Sequence, residues 1–368
     1  MATTFSELTQ SYASLVGARA AWFTHARNTA DVIAVLGLVG PSDRLVVYAP
    51  GFEASFSSRF SARQLAFATE PGPDAMIAAT GLVPAPGELP DDVDAEHTEH
   101  HASYASGSGA RFERLYWFVD GIGGRGLRVA NIRAFADAAR EAGAILMIDN
   151  TVASFFGCRP LDLGAHISLE ALDRVAAGEL SAKTVALAVA PSVHGRGRRR
   201  REDPLAEDAY LALAMRLGAG VAPAAGFSAA DLDAIERGLA SMPGRMQAHM
   251  DNARAIAAYL DANEMVPWVS YPGLSSHPDR DFAGNVLDHG FGPAIDFELP
   301  RGVSAHAFIA VVAPEFRAAP AGGRLTRLSA LDGDDGRYIR LFAGVDDPLD
   351  IVDSLDQALR MFCNPPHA

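Results

Sequence analysis

The sequence predicts an α/β protein: a large domain on a mostly parallel sheet between helices, then a smaller C-terminal α+β domain. Three observations carry that expectation. First, Leu115–Val119 (LYWFV) and Ala144–Asp149 (AILMID) are apolar almost throughout, and the segment between them puts Ile132, Phe135, Ala136 and Ala139 on one helical face. Strands apolar at nearly every position are buried on both faces, and the β–α–β order makes such a pair parallel. Second, after Pro267 short strands alternate with helices, the pattern of a separate α+β unit. Third, 368 residues at 49% hydrophobic can bury one large core and a smaller one.

Taken in order, residues 3–40 read as two helices. Leu8, Tyr12 and Leu15 share a face with Gly17 as the stop; Asn28 or Thr29 caps a second helix through Val32, Ile33, Val35 and Leu36. Arg44–Ala49 (RLVVYA) reads as a buried strand ended by Pro50-Gly51, and residues 60–80 as helix then strand. Residues 83–111 are turn-rich and acidic, the pattern of a surface insertion. Within it His97, His100 and His101 lie beside Glu96 and Glu99 without zinc-motif spacing, so no metal site is expected. Gly143 ends the helix that precedes Ala144, and Thr184–Val189 forms another strand.

The basic run Gly195–Arg201 (GRGRRRR) is followed by Glu202 and Asp203 and reads as a solvated loop, with a helix over Ala206–Leu217 after it. Ser228 and Asp231 make a capping-box-like start to a helix bearing Leu232, Ile235 and Leu239. Pro243 is expected to break it, and a second long helix follows through Met246, Met250, Ile256 and Leu260. The domain boundary falls near Asn263, giving a large domain over 1–262 and a small one over 263–368. In the latter, Ala294–Leu299 and Tyr338–Val345 read as strands; Ala305–Val312 and Pro348–Phe362 read as helices, Pro348 taking the favoured first position.

Several function classes are disfavoured. A net charge of −14 argues against a nucleic-acid or anionic-membrane partner. The two cysteines, Cys158 and Cys363, lack metal spacing and read as reduced thiols of a cytoplasmic protein. The N-terminus lacks a basic start followed by an apolar core, and no apolar run approaches the roughly 18 residues of a membrane span. Asp149 stands at the carboxyl end of a parallel strand, where ligands meet such sheets; capping the following turn is the equal alternative. Lys183 is the only lysine in the chain.

Six stretches, in order along nearly the whole chain, give the sequence a further character. They are SLVGARAAWF (14–23), LGLVGPSDRLVV (36–47), ILMIDNTVASF (145–155), RGLASMPGRMQAHMDNARAIAAYL (237–260), YPGLSSHPDRD (271–281) and YIRLFAGVDDPLDIVDSLDQAL (338–359). In these the chain resembles the Cys/Met-metabolism family of pyridoxal-phosphate (PLP) enzymes, which includes cystathionine synthases and lyases and methionine γ-lyase. A likeness to the oxoamine-synthase group rests only on FVDGIGGRG (118–126). The resemblance implies the fold-type I transferase architecture, a large domain with a seven-stranded sheet.

At the site the resemblance implies both retention and loss. Asp149 falls on the acid that keeps the pyridine nitrogen protonated, and Arg340 on the clamp for the substrate α-carboxylate, with a structural ion pair as its alternative role. The Schiff-base lysine falls on Arg174. A guanidinium stays protonated and cannot act as the amine nucleophile. The phosphate-binding hydroxyls fall on Ala171 and Asp173, the phosphate loop on Ala26-Arg27, and the stacking tyrosine on Phe52. The threonine–asparagine–proline loop beside the ring falls on Gly123-Gly124-Arg125, and a serine-bearing loop on Ala313-Pro314-Glu315-Phe316. The arm that donates tyrosine and arginine to a neighbouring subunit is expected to be missing, with Phe5 near the arginine's place. Lys183, nine residues beyond Arg174, is expected outside the pocket unless the register shifts.

The expected function is that of a degenerate homologue of trans-sulfuration enzymes without PLP catalysis. It would be a regulatory partner of an active paralogue, a homodimer or tetramer, or a repurposed protein for a small amino-acid-like ligand. The alternative is an active PLP-dependent lyase or synthase of sulfur amino acids with an atypical site.

Overall fold

The computed structural model describes residues 4–84, 104–106, 112–194, 201–218, 226–312, 316, 322–331 and 336–363. His97, His100 and His101, the arginines at 196–200 and the loop residues 313–315 lie outside the described residues, as does the side chain of Cys363.

The large sheet has seven strands: β1 (Ala20–His25), β2 (Arg44–Tyr48), β3 (Leu65–Phe67), β4 (Leu115–Asp120), β5 (Ala144–Asp149), β6 (Ile167–Ala171) and β7 (Thr184–Val189). Their spatial order is β1-β7-β6-β5-β4-β2-β3. Every pairing not involving β7 is parallel; β7 runs antiparallel to both β1 and β6. Alternation along the strands sends side chains to opposite layers. Leu45, Val47, Tyr116, Phe118, Ile145 and Met147 pack with α1 (Phe5–Val16), α6 (Pro204–Leu217) and α7 (Ala229–Ala262). Val46, Trp117, Leu146 and Ile148 pack with α4 (Pro73–Thr80) and α5 (Ile132–Glu141). Both faces are therefore covered, as the apolar runs require.

The helix ends follow local chemistry. Thr4 and Glu7 form a capping box for α1, and Gly17 closes it in the left-handed conformation. Asn28 caps α2 (Thr29–Val35), and Ser228 with Asp231 caps α7. A short helix, α3 (Glu53–Ser57), follows β2.

The second sheet is antiparallel, in the order β8-β9-β11-β10: β8 (Trp268–Ser270), β9 (Ala294–Glu298), β10 (Arg327–Ala330) and β11 (Tyr338–Phe342). Its core joins the C-terminal half of α7 with α9 (Ala305–Val311) and α10 (Pro348–Cys363), while α8 (Arg280–Val286) packs on the large-sheet side.

Four sequence expectations need correction. Residues 20–25, left between the two expected helices, form the strand β1. Leu15 is exposed, because the buried face of α1 runs through Phe5, Leu8, Tyr12 and Val16. Residues 60–80 fold as strand then helix, with Pro73 at the first turn where proline suits a helix. Pro243 does not break α7. It removes one helical bond, but Met242 and Met246 beside it are in the core, and Arg245 donates to the carbonyls of Arg174 and Val175 at 2.6 and 2.7 Å. Tertiary packing outweighs a local penalty of about 3 kcal/mol. Among the described residues no helix is long and apolar enough to cross a membrane.

Candidate functional site

The carboxyl ends of β4, β5 and β6 open onto a cavity of about 280 Å³, closed on its far side by β10 and β11. Each strand delivers its last side chain there because the parallel register aligns their ends. Asp120 and Asp149 are direct partners across the β4–β5 ladder. The lining includes Asp149, Arg174, Arg340, Phe52, Arg27 and Lys183, with Ala26, Ala171 and Asp173, but not Phe5, Gly123-Gly124-Arg125 or Phe316.

Asp149 is buried and both its carboxylate oxygens are engaged. Oδ1 accepts from the Thr151 backbone N–H at 2.9 Å, and Oδ2 accepts from the Thr29 hydroxyl. Burial raises its pKa, against the opposing effect of those hydrogen bonds and of the Arg174 charge. Asp120 is 8% exposed. Burial first, then the neighbouring Asp149 charge, holds its carboxyl well above the usual range.

Arg174 follows β6 and is 6% exposed. Its Nε donates to the Thr151 carbonyl at 2.6 Å, and its guanidinium carbon stands 4.7 Å from the centre of the Phe342 ring. Burial pulls its pKa down to about 10, so it remains a cation at neutral pH. The backbone here is held by close packing: a Cβ on Gly322 would come within 2.7 Å of the Arg174 nitrogen.

Arg340, on β11, is already paired. Its Nε and Nη2 donate to Asp296 on β9 at 2.7 and 2.8 Å, and Nη2 also reaches the Gly124 carbonyl at 2.6 Å. Asp296 is fully buried and accepts a further bond from the Gly126 N–H at 2.9 Å. This is the ion-pair arrangement, and among the described residues it leaves Nη1 as the unused donor of that guanidinium.

Lys183 lines the cavity, where the ungapped reading had placed it outside. The antiparallel pairing of β7 with both β1 and β6 brings the start of β7 back beside the end of β6, a geometry not visible in a linear register. Its ammonium is 3.9 Å from Asp173, and its side chain is 60% exposed, so it stands at the rim. Arg27 is at the surface, 3.6 Å from Asp31, and Phe52 is partly exposed on the wall.

Several participants were not singled out in the sequence. Asp120 closes the apolar run LYWFVD just as Asp149 closes AILMID, so its signal was available. A Cβ on Gly123 would fall 1.8 Å from Asp120 Oδ2, so that glycine leaves the room the carboxyl occupies. Glu170, on the opposite face of β6, accepts from Tyr12 Oη at 3.0 Å and the Phe155 N–H at 3.1 Å, and burial raises its pKa to about 8. Thr29 and Asp296 carry no sequence signal of this kind; only the tertiary contacts reveal them.

Comparison with known proteins follows the same lines. The family model described as Cys/Met metabolism PLP-dependent enzyme matches residues 113–323. Cystathionine gamma-lyase of Bos taurus is 30% identical over 261 residues, covering 66% of this chain and 59% of that protein. Cystathionine gamma-synthase of Mycobacterium tuberculosis is 29% identical over 248 residues, covering 63% and 58%. The matched part thus spans less than two thirds of these curated relatives. Among solved structures, apo CalE6, a methionine gamma lyase from Micromonospora echinospora, superposes with a TM-score of 0.74 at 22% identity, over 97% of this chain and 87% of the other. Cystathionine gamma synthase from Xanthomonas oryzae pv. oryzae in complex with cystathionine gives 0.70 at 24% identity, over 96% and 84%. These likenesses establish the fold.

Proposed function

The chain belongs to the Cys/Met metabolism PLP-dependent enzyme family, and we propose that it is a degenerate member that keeps the fold and cleft without PLP catalysis. In this reading it is a repurposed small-ligand protein or a regulatory partner of an active paralogue. It works in the cytoplasm as a homodimer or tetramer, with residues 1–262 and 263–368 as its two domains.

Arg174 carries the reading. Counted without gaps from Leu163-Gly164-Ala165, it takes the place of the family's Schiff-base lysine. A guanidinium cannot supply the neutral amine, and this one is buried and anchored to Thr151 and Phe342. Other residues fit the cofactor poorly. Thr29, at the start of α2, donates to Asp149 and so occupies one oxygen of the carboxylate that would serve the pyridine nitrogen. Asp173, at a phosphate position, carries the wrong charge for a phosphate, and Ala171 has no hydroxyl. The engagement of Arg340 by Asp296 removes most of the substrate-carboxylate clamp.

One observation favours a second reading, an active PLP-dependent lyase or synthase of sulfur amino acids: Lys183 lines the cavity that holds Asp149. Titration of the purified protein with PLP, followed by visible absorbance, separates the two. A degenerate site gives only the spectrum of free cofactor. A protein-bound band that disappears in Lys183→Ala would establish the second reading.

A further inference from the structure

We propose that the cavity binds a small dicarboxylate directly, with one carboxylate on the Nη groups of Arg174 and the other directed to Lys183 at the rim. This rests on the reading of the site as one without PLP, and it names the ligand class that site would take.

The first observation is the state of Arg174. It is more than nine-tenths buried and lines the cavity, yet its only side-chain hydrogen bond among the described residues is from Nε. The four Nη N–H donors of this buried, cavity-lining cation therefore have no acceptor among the described residues. Leaving them so is costly, and a carboxylate meets two of them in parallel. The second observation is Asp120, which is 8% exposed and lines the same cavity, and whose carboxyl makes no hydrogen bond among the described residues. Burial and the neighbouring Asp149 charge favour its protonated form, which offers an O–H.

The remaining polar wall has the same sense. Both oxygens of Asp149 already accept bonds, so they have little left for a ligand ammonium. Arg340 presents Nη1, and Lys183 presents its ammonium at the opening. The cations Arg27, Arg174, Lys183, Arg327 and Arg340 outnumber the carboxylates of Asp149 and Asp173 on this wall, and Lys183 stands 3.9 Å from Asp173 and offsets it. The wall therefore favours an anion, and cations at the floor and at the rim select two separated carboxylates. The volume of about 280 Å³ is at the small end of ligand cavities, which run from about 300 to 1,000 Å³. It suits a short diacid.

A dianion placed here raises the proton affinity of every carboxyl facing it: Asp120 on β4, Asp149 on β5 and Asp173 beyond β6. The cations Arg27, Arg174, Lys183, Arg327 and Arg340 oppose this only in part. Binding is therefore coupled to proton uptake.

The test is calorimetric titration of the full chain with succinate at neutral pH, in two buffers of different ionisation heat. Saturable binding of one succinate per chain with net proton uptake is expected. Arg174→Met weakens it by about tenfold or more, the worth of charge-assisted hydrogen bonds. Lys183→Met, at an exposed position that does not threaten folding, weakens succinate several-fold and leaves acetate unchanged. Absence of saturable binding, proton release, or an unchanged succinate affinity in Lys183→Met would overturn the proposal. Inorganic phosphate binding more tightly than succinate would also overturn it, because the site would then be a general oxyanion site. No succinate binding together with no PLP band defeats this inference alone; a PLP band defeats the reading beneath it.

Discussion

Asp296→Ala removes the carboxylate that holds Arg340. Asp296 is fully buried, receives two charge-assisted bonds at 2.7 and 2.8 Å, and accepts the Gly126 N–H at 2.9 Å. Alanine leaves the Arg340 guanidinium with only the Gly124 carbonyl at 2.6 Å. Breaking one side of a buried pair costs about 3–5 kcal/mol, mostly because the other charge stays unpaired. Unfolding entropies of about 2.1 cal/mol/K per residue, over a chain of this length, turn that into a fall of about 4–6 °C in the thermal midpoint. Scanning calorimetry of the single variant and of Asp296→Leu with Arg340→Met makes the measurement. The double variant should recover most of the loss, since it removes both charges. A single variant within about 1 °C of the parent, or a double variant as unstable as the single, would refute the pair as the clasp between β9, β11 and the 124–126 loop.

Glu170→Gln should change how stability varies with pH. Burial raises Glu170 from 4.5 to about 8, so the folded chain keeps a proton that the unfolded chain has released. Stability from this group is full below about 4.5 and falls as pH rises toward 8. Denaturant melts across that window should therefore shift in the variant's favour as pH rises; a constant difference would contradict it. Gly238→Ala places a Cβ 2.0 Å from the Val175 carbonyl oxygen, against which α7 packs directly. The displaced helix should cost roughly 1–3 kcal/mol, and an unchanged urea midpoint would show that the approach is looser than described.

Much of this architecture was legible because a parallel sheet buried on both faces leaves runs apolar at every position. β2, β4, β5 and β7 stand out for that reason. β1 did not: Ala20–His25 is only half buried and lies between two strong helix signals. Pro243 was misread because local propensity cannot register Met242, Arg245 and Met246 locked into the core. Asp149 could be found from its place at the end of a strand, and Asp120 carried the same mark unused. The Asp296–Arg340 pair joins positions 44 residues apart, and the contact of Thr29 with Asp149 joins positions 120 apart. Neither has a local signature. Lys183 shows the same limit from the other side, since its place at the rim comes from the antiparallel return of β7.

Lys183 also makes the most direct measurement available, because it is the chain's sole ε-amine. The protein is incubated with one equivalent of PLP, reduced with borohydride and mapped by peptide mass spectrometry. With Arg174 in the place of the Schiff-base lysine, the Lys183 peptide should remain unmodified. Stoichiometric phosphopyridoxyl label on Lys183 would contradict the loss of cofactor chemistry and identify a working PLP enzyme that has moved its amine to β7.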